Sequence, residues 1–366
     1  VLAQIQADGS KHHKSIDSLP ATDHNGAMPD HSHPDHDTTA SHVVTDYSQL
    51  DPDTIISAVE TLELPCDARI FPLNSYENRV YQIGLEDRPP VIGKFYRPGR
   101  WSNAQILEEH LFTLALAQLE IPVVPPLLFD DRSLLEYAGY RYALYPRQGG
   151  RTPELDDPDQ LKSLGRFIGR IHALGAAGQF QHRPRIDIDS YAIVPMDFIL
   201  QQGFMPDYLL DAYQSLMRDI LALLPQRYEL SQIRQIRLHG DCHRSNILWT
   251  DRGPHFVDFD DCRSGPVIQD LWMLLSGDSN EQRRQMDSIL DGYYEFYDFN
   301  PAELRLIEPL RTMRIIHYAG WLAKRWDDPS FPMNFPWFNT PAYWEQHVLE
   351  LREQFALLQE SETLRL

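Results

Sequence analysis

Apolar and polar residues are ordered differently in successive parts of the chain, and that order predicts its organisation. Up to about residue 48 there is almost no apolar periodicity. His12, His13, His24, His31, His33, His36 and His42 are interspersed there with Asp, Ser, Thr and Pro. Such a segment buries too little surface to offset its ordering entropy, so residues 1–48 are expected to be a disordered His-rich tail. Weak transition-metal chelation by His31, His33 and His36 is the functional alternative. From Asp51 the pattern turns globular. Asp51-Pro52-Asp53 ahead of Thr54-Ile55-Ile56 reads as a capped helix start. Residues 78–83 and 90–96 read as strands joined by the polar turn Glu86-Asp87-Arg88. A helix is predicted over 102–119 with Leu107, Leu111 and Leu114 on one face, closed by Pro122, Pro125 and Pro126. A further strand pair is predicted over 133–145. After Gly150 the pattern is helical, over 160–174, 206–224, 269–275, 281–296 and 301–324. Short strands at 236–238, 247–249 and 256–259 interrupt these helices. The expected fold class is α+β: a small β-rich lobe over 49–147, then a larger, mainly helical lobe over 148–366.

Composition narrows the class. At 366 residues the chain is long enough for two lobes, each with its own core, and 42% hydrophobic residues is ordinary for a globular protein. No window approaches the ~18 consecutive apolar residues of a membrane span. The opening Val1-Leu2-Ala3-Gln4 lacks the basic and apolar regions of a secretory signal. A formal net charge of −20 would repel a polyanionic duplex, which argues against a nucleic-acid partner. The cysteines, Cys66, Cys242 and Cys262, have no metal or disulfide spacing and fit a reducing compartment. The expectation is a soluble, acidic, cytoplasmic protein with no membrane and no nucleic-acid partner.

The candidate chemistry lies in His239-Gly240-Asp241-Cys242-His243-Arg244-Ser245-Asn246, with Asp258 beyond an intervening hairpin. Phosphoryl transfer needs one carboxylate to orient the incoming hydroxyl and accept its proton, and oxygen ligands to fix magnesium on the phosphates. An Asp followed five residues later by Asn is the spacing that kinases use. On this reading Asp241 is the base, and Asn246 and Asp258 are the metal ligands, with Asp258-Phe259-Asp260-Asp261 standing where protein kinases have D-F-G. Asp258 is thereby both a catalytic and a metal residue. Lys94 sits in the apolar run Val91-Ile92-Gly93-Lys94-Phe95-Tyr96, where an ammonium needs an anionic partner. Kinases place such a lysine on the ATP phosphates and pair it with a helix glutamate. Of Glu108 and Glu109 only one can face inward, and Glu109 is the choice. No Walker motif and no G-x-G-x-x-G precede Lys94. Residues 73–80 occupy that place, either as a phosphate loop or as a simple polar turn. His172 reads as a satisfied core histidine, the C-terminal tryptophans and phenylalanines as packing, and Cys242 and Cys262 as small buried filler.

The string His239-Gly240-Asp241-x-His243-x-x-Asn246-Ile247-Leu248 resembles the signature of the aminoglycoside phosphotransferase-like kinases. Residues 73–81, Lys94-Phe95-Tyr96-Arg97-Pro98, residues 105–110, Arg325-Trp326, residues 269–275 and Asn334-Phe335-Pro336-Trp337 resemble, more narrowly, the bacterial stress-response kinases of that superfamily. The resemblance runs from about Asp51 towards the C-terminus and excludes the His-rich segment. It implies the choline-kinase-like version of the bilobal protein-kinase fold and a monomeric serine/threonine protein kinase with ATP as phosphoryl donor and Mg2+ as metal. It also implies Ser75 at the ATP site and a protein acceptor of unknown identity. A small-molecule kinase acting on an amino alcohol, homoserine or an aminoglycoside-like compound is the alternative. A metallophosphoesterase, suggested by Gly240-Asp241-Cys242-His243, lacks the further ligand clusters that chemistry needs. A nucleotide-binding scaffold without activity is disfavoured because Lys94, Asp241, Asn246 and Asp258 are all present.

Overall fold

The computed structural model describes residues 46–360, so most of the segment expected to be a disordered tail lies outside the described residues. The first helix, α1 (Pro52–Glu60), starts as the sequence predicts: the Asp51 carboxylate accepts the Thr54 N–H at 2.8 Å and proline fills the first turn. Such a cap contributes about 1 kcal/mol. Five strands follow, β1 (Cys66–Pro72), β2 (Arg79–Leu85), β3 (Val91–Phe95), β4 (Leu135–Tyr137) and β5 (Tyr140–Pro146). They form one antiparallel sheet in the order β1-β2-β3-β5-β4.

Strand alternation sends successive side chains of β3 to opposite faces. Phe95 packs with Ile83, Tyr142, Leu144 and α1, whose Ile55, Ala58 and Val59 are buried. Lys94 therefore lies on the other face, which also carries Tyr96 and Tyr145 and is covered by α2 (Asn103–Gln118). A reciprocal cap between Ser102 and Gln105 starts α2. The leucine face expected for this helix points the other way. Its buried positions are Ile106, Glu109, His110, Phe112, Thr113 and Leu116, whereas Leu107 and Leu111 are exposed. Polar residues can be buried because partners await them: His110 lies 2.7 Å from the Tyr96 hydroxyl and 2.9 Å from that of Ser133.

The rest of the chain is mainly helical: α3 (Pro158–Ala176), α4 (Val194–Gln201), α5 (Asp207–Arg227), α6 (Ile268–Trp272), α7 (Ser279–Tyr293), α8 (Ile307–Lys324), α9 (Ser330–Asn334) and α10 (Pro341–Gln359). Two small ribbons are set among them. One pairs β6 (Ile236–Leu238) with β9 (Arg263–Gly265), and the other pairs β7 (Ile247–Thr250) with β8 (Gly253–Phe256). The strand expected over 256–259 ends at Phe256, because Asp258 takes up a left-handed conformation, φ 59°. Helices α3 and α7 approach so closely that a Cβ on Gly165 would collide with the Ile289 carbonyl oxygen. Phe331, Phe335, Phe338 and Trp344 are buried core, and Trp321, Trp337 and Tyr343 pack against them edge-to-face or tilted. Among the described residues no helix is long and apolar enough to cross a membrane.

Candidate active site

The segment after β6 is held from beneath by a relay of buried polar groups. Asp270 on α6 accepts the backbone N–H groups of His239 at 2.9 Å and Gly240 at 2.8 Å. Asp270 is in turn 3.1 Å from His172 on α3, whose other ring nitrogen is 2.7 Å from the Tyr293 hydroxyl of α7. His172 is thus a satisfied core histidine, and it also braces the loop. Gly240 has φ +84°, and a Cβ there would run into the Asp261 carbonyl oxygen. Only glycine accommodates both the backbone angle and the approach.

This loop and the segment carrying Asp258 are stitched together. His239 Nε2 lies 2.9 Å from the Val257 carbonyl, and Val257 N–H donates to the Asn246 carbonyl at 3.0 Å. The Asn246 side-chain amide donates to the Asp241 carbonyl at 3.0 Å, which leaves its own amide oxygen available to a cation. These bonds tie Asn246 both to Asp241 and to Val257, the residue before Asp258. The Asp241 carboxylate is 2.8 Å from Arg314 Nη1 and 3.3 Å from His243 Nε2. Burial opposes its ionisation, but Arg314 and His243 outweigh burial and hold its pKa well below the usual carboxylate range.

Lys94 is almost wholly buried, and its ammonium lies 3.1 Å from Asp258, 3.2 Å from Asp260 and 3.7 Å from Glu109. Desolvation opposes the charge, yet these three carboxylates keep its pKa well above the ordinary lysine value. Of the two candidate glutamates, Glu109 faces Lys94, and Arg183 donates to its second oxygen at 2.7 Å. Glu108 instead accepts the backbone N–H groups of Gln181, His182 and Arg183. Asp260 is bonded to Arg100, and the same guanidinium reaches Asp261 at 2.8 Å. These cations hold the Asp260 pKa well below its ordinary value despite burial. Asp260 entered the sequence reading only within the Asp258–Asp261 string, and Arg100, Arg183, Asp270 and Arg314 are neighbours of these groups that it did not single out. The one signal on offer was Asp270, within a string already carrying the resemblance. Cys242 and Cys262 are buried thiols, and burial pushes Cys262 up to about 12.

Ser75 lies half-buried in the loop between β1 and β2. That loop is tied to the helical lobe. Glu77 pairs with Arg325 at 2.5 Å and accepts the Trp321 indole N–H at 2.6 Å. Asp328 holds Arg79 at 3.1 Å and Arg97 at 2.8 Å from the other side of the cleft. Among the described residues no cluster of three His, Cys, Asp or Glu is arranged as a metal site. Magnesium in phosphoryl-transfer sites needs only one or two protein oxygens, the phosphates supplying others. The Asp258 carboxylate, its side chain 54% exposed, and the free amide oxygen of Asn246 fit that requirement.

Residues 69–307 match the model of the APH phosphotransferase enzyme family. Stress response kinase A of Escherichia coli O157:H7 is 46% identical over 314 residues, covering 86% of this chain and 95% of that protein. Serine/threonine protein kinase RdoA of Salmonella typhimurium (strain LT2) is 45% identical over the same shares. Among solved structures, amicoumacin kinase in complex with AMP-PNP, Ca2+ and its ligand superposes with TM-score 0.64 at 18% identity, covering 84% of this chain and 97% of that one. A microcompartment-associated aminopropanol kinase superposes with TM-score 0.61 at 18% identity, covering 85% and 99%. Those two likenesses establish the bilobal α+β kinase fold. The family match and the close relatives reach further: this chain belongs to the APH phosphotransferase family and, within it, to the stress response kinases.

Proposed function

We propose that this kinase is a magnesium-dependent serine/threonine protein kinase of the cytoplasm, transferring the ATP γ-phosphoryl group to a protein hydroxyl. The carrying observation is the buried Lys94 ammonium held among Glu109, Asp258 and Asp260, next to a loop that presents an ionised Asp241. A lysine ringed by three carboxylates has anionic partners to exchange for phosphate oxygens. Glu109, anchored by Arg183, keeps the ammonium in place. Ser75 and the backbone of its loop would face the nucleotide phosphates. Asp241 would accept a hydrogen bond from the acceptor hydroxyl and take its proton as the new P–O bond forms and the bond from the γ-phosphorus to the β,γ-bridging oxygen breaks, with ADP leaving. Asn246 and Asp258 would hold Mg2+, which when bound neutralises phosphate charge. We draw the lobe boundary between residues 147 and 148.

The name of the Salmonella relative supports a protein acceptor, and the free thiols Cys66, Cys242 and Cys262 fit a reducing cytoplasm. The test is transfer from labelled MgATP to the kinase itself and to a generic protein substrate, run beside amino alcohols, homoserine and aminoglycosides. Label on serine or threonine, lost in Asp241→Asn, is expected. Label confined to the small molecules would replace the protein acceptor. Normal transfer by Asp241→Asn would remove Asp241 from its role.

A further inference from the structure

Helix α8 presents two different faces. Thr312, Met313, Ile315, Ile316 and Ala319 are buried in the core, whereas Arg311, Arg314, Tyr318 and Trp321 are half-buried along one stripe. Their spacing of three and four residues makes that stripe a single face. At its far end Trp321 stacks on Tyr318 and donates to Glu77 of the β1–β2 loop. Nearer its start Arg314 reaches Asp241 at 2.8 Å. Its guanidinium has no other ionic partner among the described residues, and its side chain is 31% exposed.

From this we infer that Arg314 is the positioning residue of the base Asp241, an inference that rests on the role proposed for Asp241. A carboxylate at the end of a loop side chain rotates freely unless both oxygens are held. Here the partners lie on different oxygens, Arg314 on Oδ1 and His243 on Oδ2. His243 belongs to the same short loop and moves with it. Arg314 comes from a helix buried in the core, so among the described residues it is the ionic partner that ties the carboxylate itself, as distinct from the loop backbone held by Asp270, to another element. The hydroxyl must meet a carboxylate oxygen within a few tenths of an ångström, and a misplacement of about 1 Å costs on the order of 100-fold in rate. Arg314 also sets a positive charge beside Asp241, offsetting the repulsion between that carboxylate and an approaching phosphate.

The experiment compares Arg314→Ala, Arg314→Lys and Asp241→Asn in the full-length kinase, with added guanidinium as a rescue arm. Arg314→Ala should lose on the order of 100-fold in kcat while the Kd for ATP stays within about threefold. Guanidinium should restore at least tenfold of that loss, and Arg314→Lys should fall between parent and alanine variant. An unchanged kcat in Arg314→Ala would overturn the inference. So would a loss that neither guanidinium nor lysine relieves, since that is the behaviour of a scaffold residue. If Arg314→Ala loses ATP binding, Arg314→Lys decides: it must keep ATP affinity and show an intermediate kcat. Full activity in Asp241→Asn would instead sink the underlying assignment, whatever the Arg314 variants do.

Discussion

Lys94 keeps its charge in a buried strand because three carboxylates lie within 4 Å of it, and the same carboxylates are left crowded when it is removed. Lys94→Met should therefore cost about 10²- to 10³-fold in kcat/KM for ATP, the loss typical of one preorganised electrostatic group. A second residue-scale prediction concerns Gly240. Its positive φ and the Asp261 carbonyl leave no room for a methyl group, so Gly240→Ala should displace Asp241 and abolish transfer. If the alanine variant turned over at the parental rate, the backbone account of the His-Gly-Asp string would be wrong. The choice between Glu108 and Glu109 belongs to this scale too. Neighbouring helix positions are about 100° apart, and each glutamate has strong donors waiting, so periodicity could not rank them. The separation came from Lys94 and Arg183 on one side and three backbone N–H groups on the other.

At the scale of elements, α6 holds the active loop through Asp270 and is itself held by Glu303. The Glu303 carboxylate accepts the Ile268 N–H at 3.1 Å, and burial raises its pKa from 4.5 to about 7. The native state thus keeps a proton that the unfolded chain releases, so stability falls as pH rises from about 4.5 through 7. Glu303→Gln removes that titration but keeps the acceptor. Its melting temperature should vary less than the parent's between pH 5 and 7.5, with a gain of about 1 to 3 kcal/mol at the upper end. Parallel curves for the two proteins would show that Glu303 does not titrate there. The clamp across the cleft also acts at this scale. Asp328→Ala leaves half-buried Arg79 without its ionic partner, whereas Arg97 keeps Glu77 at 3.2 Å, and it should destabilise by about 1–3 kcal/mol and raise the KM for ATP. Thermal unfolding and ATP titration of the variant check the two effects separately.

For the molecule as a whole, the proposed function seats a nucleotide beside Lys94, and a ligand bound there would stabilise the folded chain by mass action. ATP with magnesium at 100 times its Kd should add about 2.7 kcal/mol. For a chain of this size that is a rise of roughly 4 °C in Tm. Asp258→Ala should lose the part of that shift that depends on magnesium, measured with and without a chelator. An identical magnesium-dependent shift in the variant would take Asp258 out of the metal site.

Elements with a strong local signal were legible before any coordinates: the Asp51 cap, the strands around Lys94, the length of α2 and helices α3, α5, α6, α7 and α8, whereas α4, α9 and α10 were missed. Strand β1 was missed because it is an edge strand of mostly exposed or half-buried residues with no clean alternation. The face of α2 was misread because leucines look like core while His110 and Thr113 do not, although Glu109 had been placed inward. Buried hydrogen bonds reversed that order. Arg183 reaches Glu109 from 74 residues away and Arg100 reaches Asp260 from 160 residues away, separations at which no spacing rule operates.

The segment from His239 to Asn246, with Lys94 before it and Asp258 after it, needed only the sequence. On the proposed reading the base and the amide oxygen share one short loop, where spacing is preserved, and the Asp258 carboxylate follows one hairpin later. Which arginine meets the Asp241 carboxylate and which carboxylates tie the two lobes were decided by the tertiary structure alone. Those contacts join residues that share no helical turn or strand register. Chain folding brings them within hydrogen-bonding distance, and burial then makes each charge depend on the partner it finds.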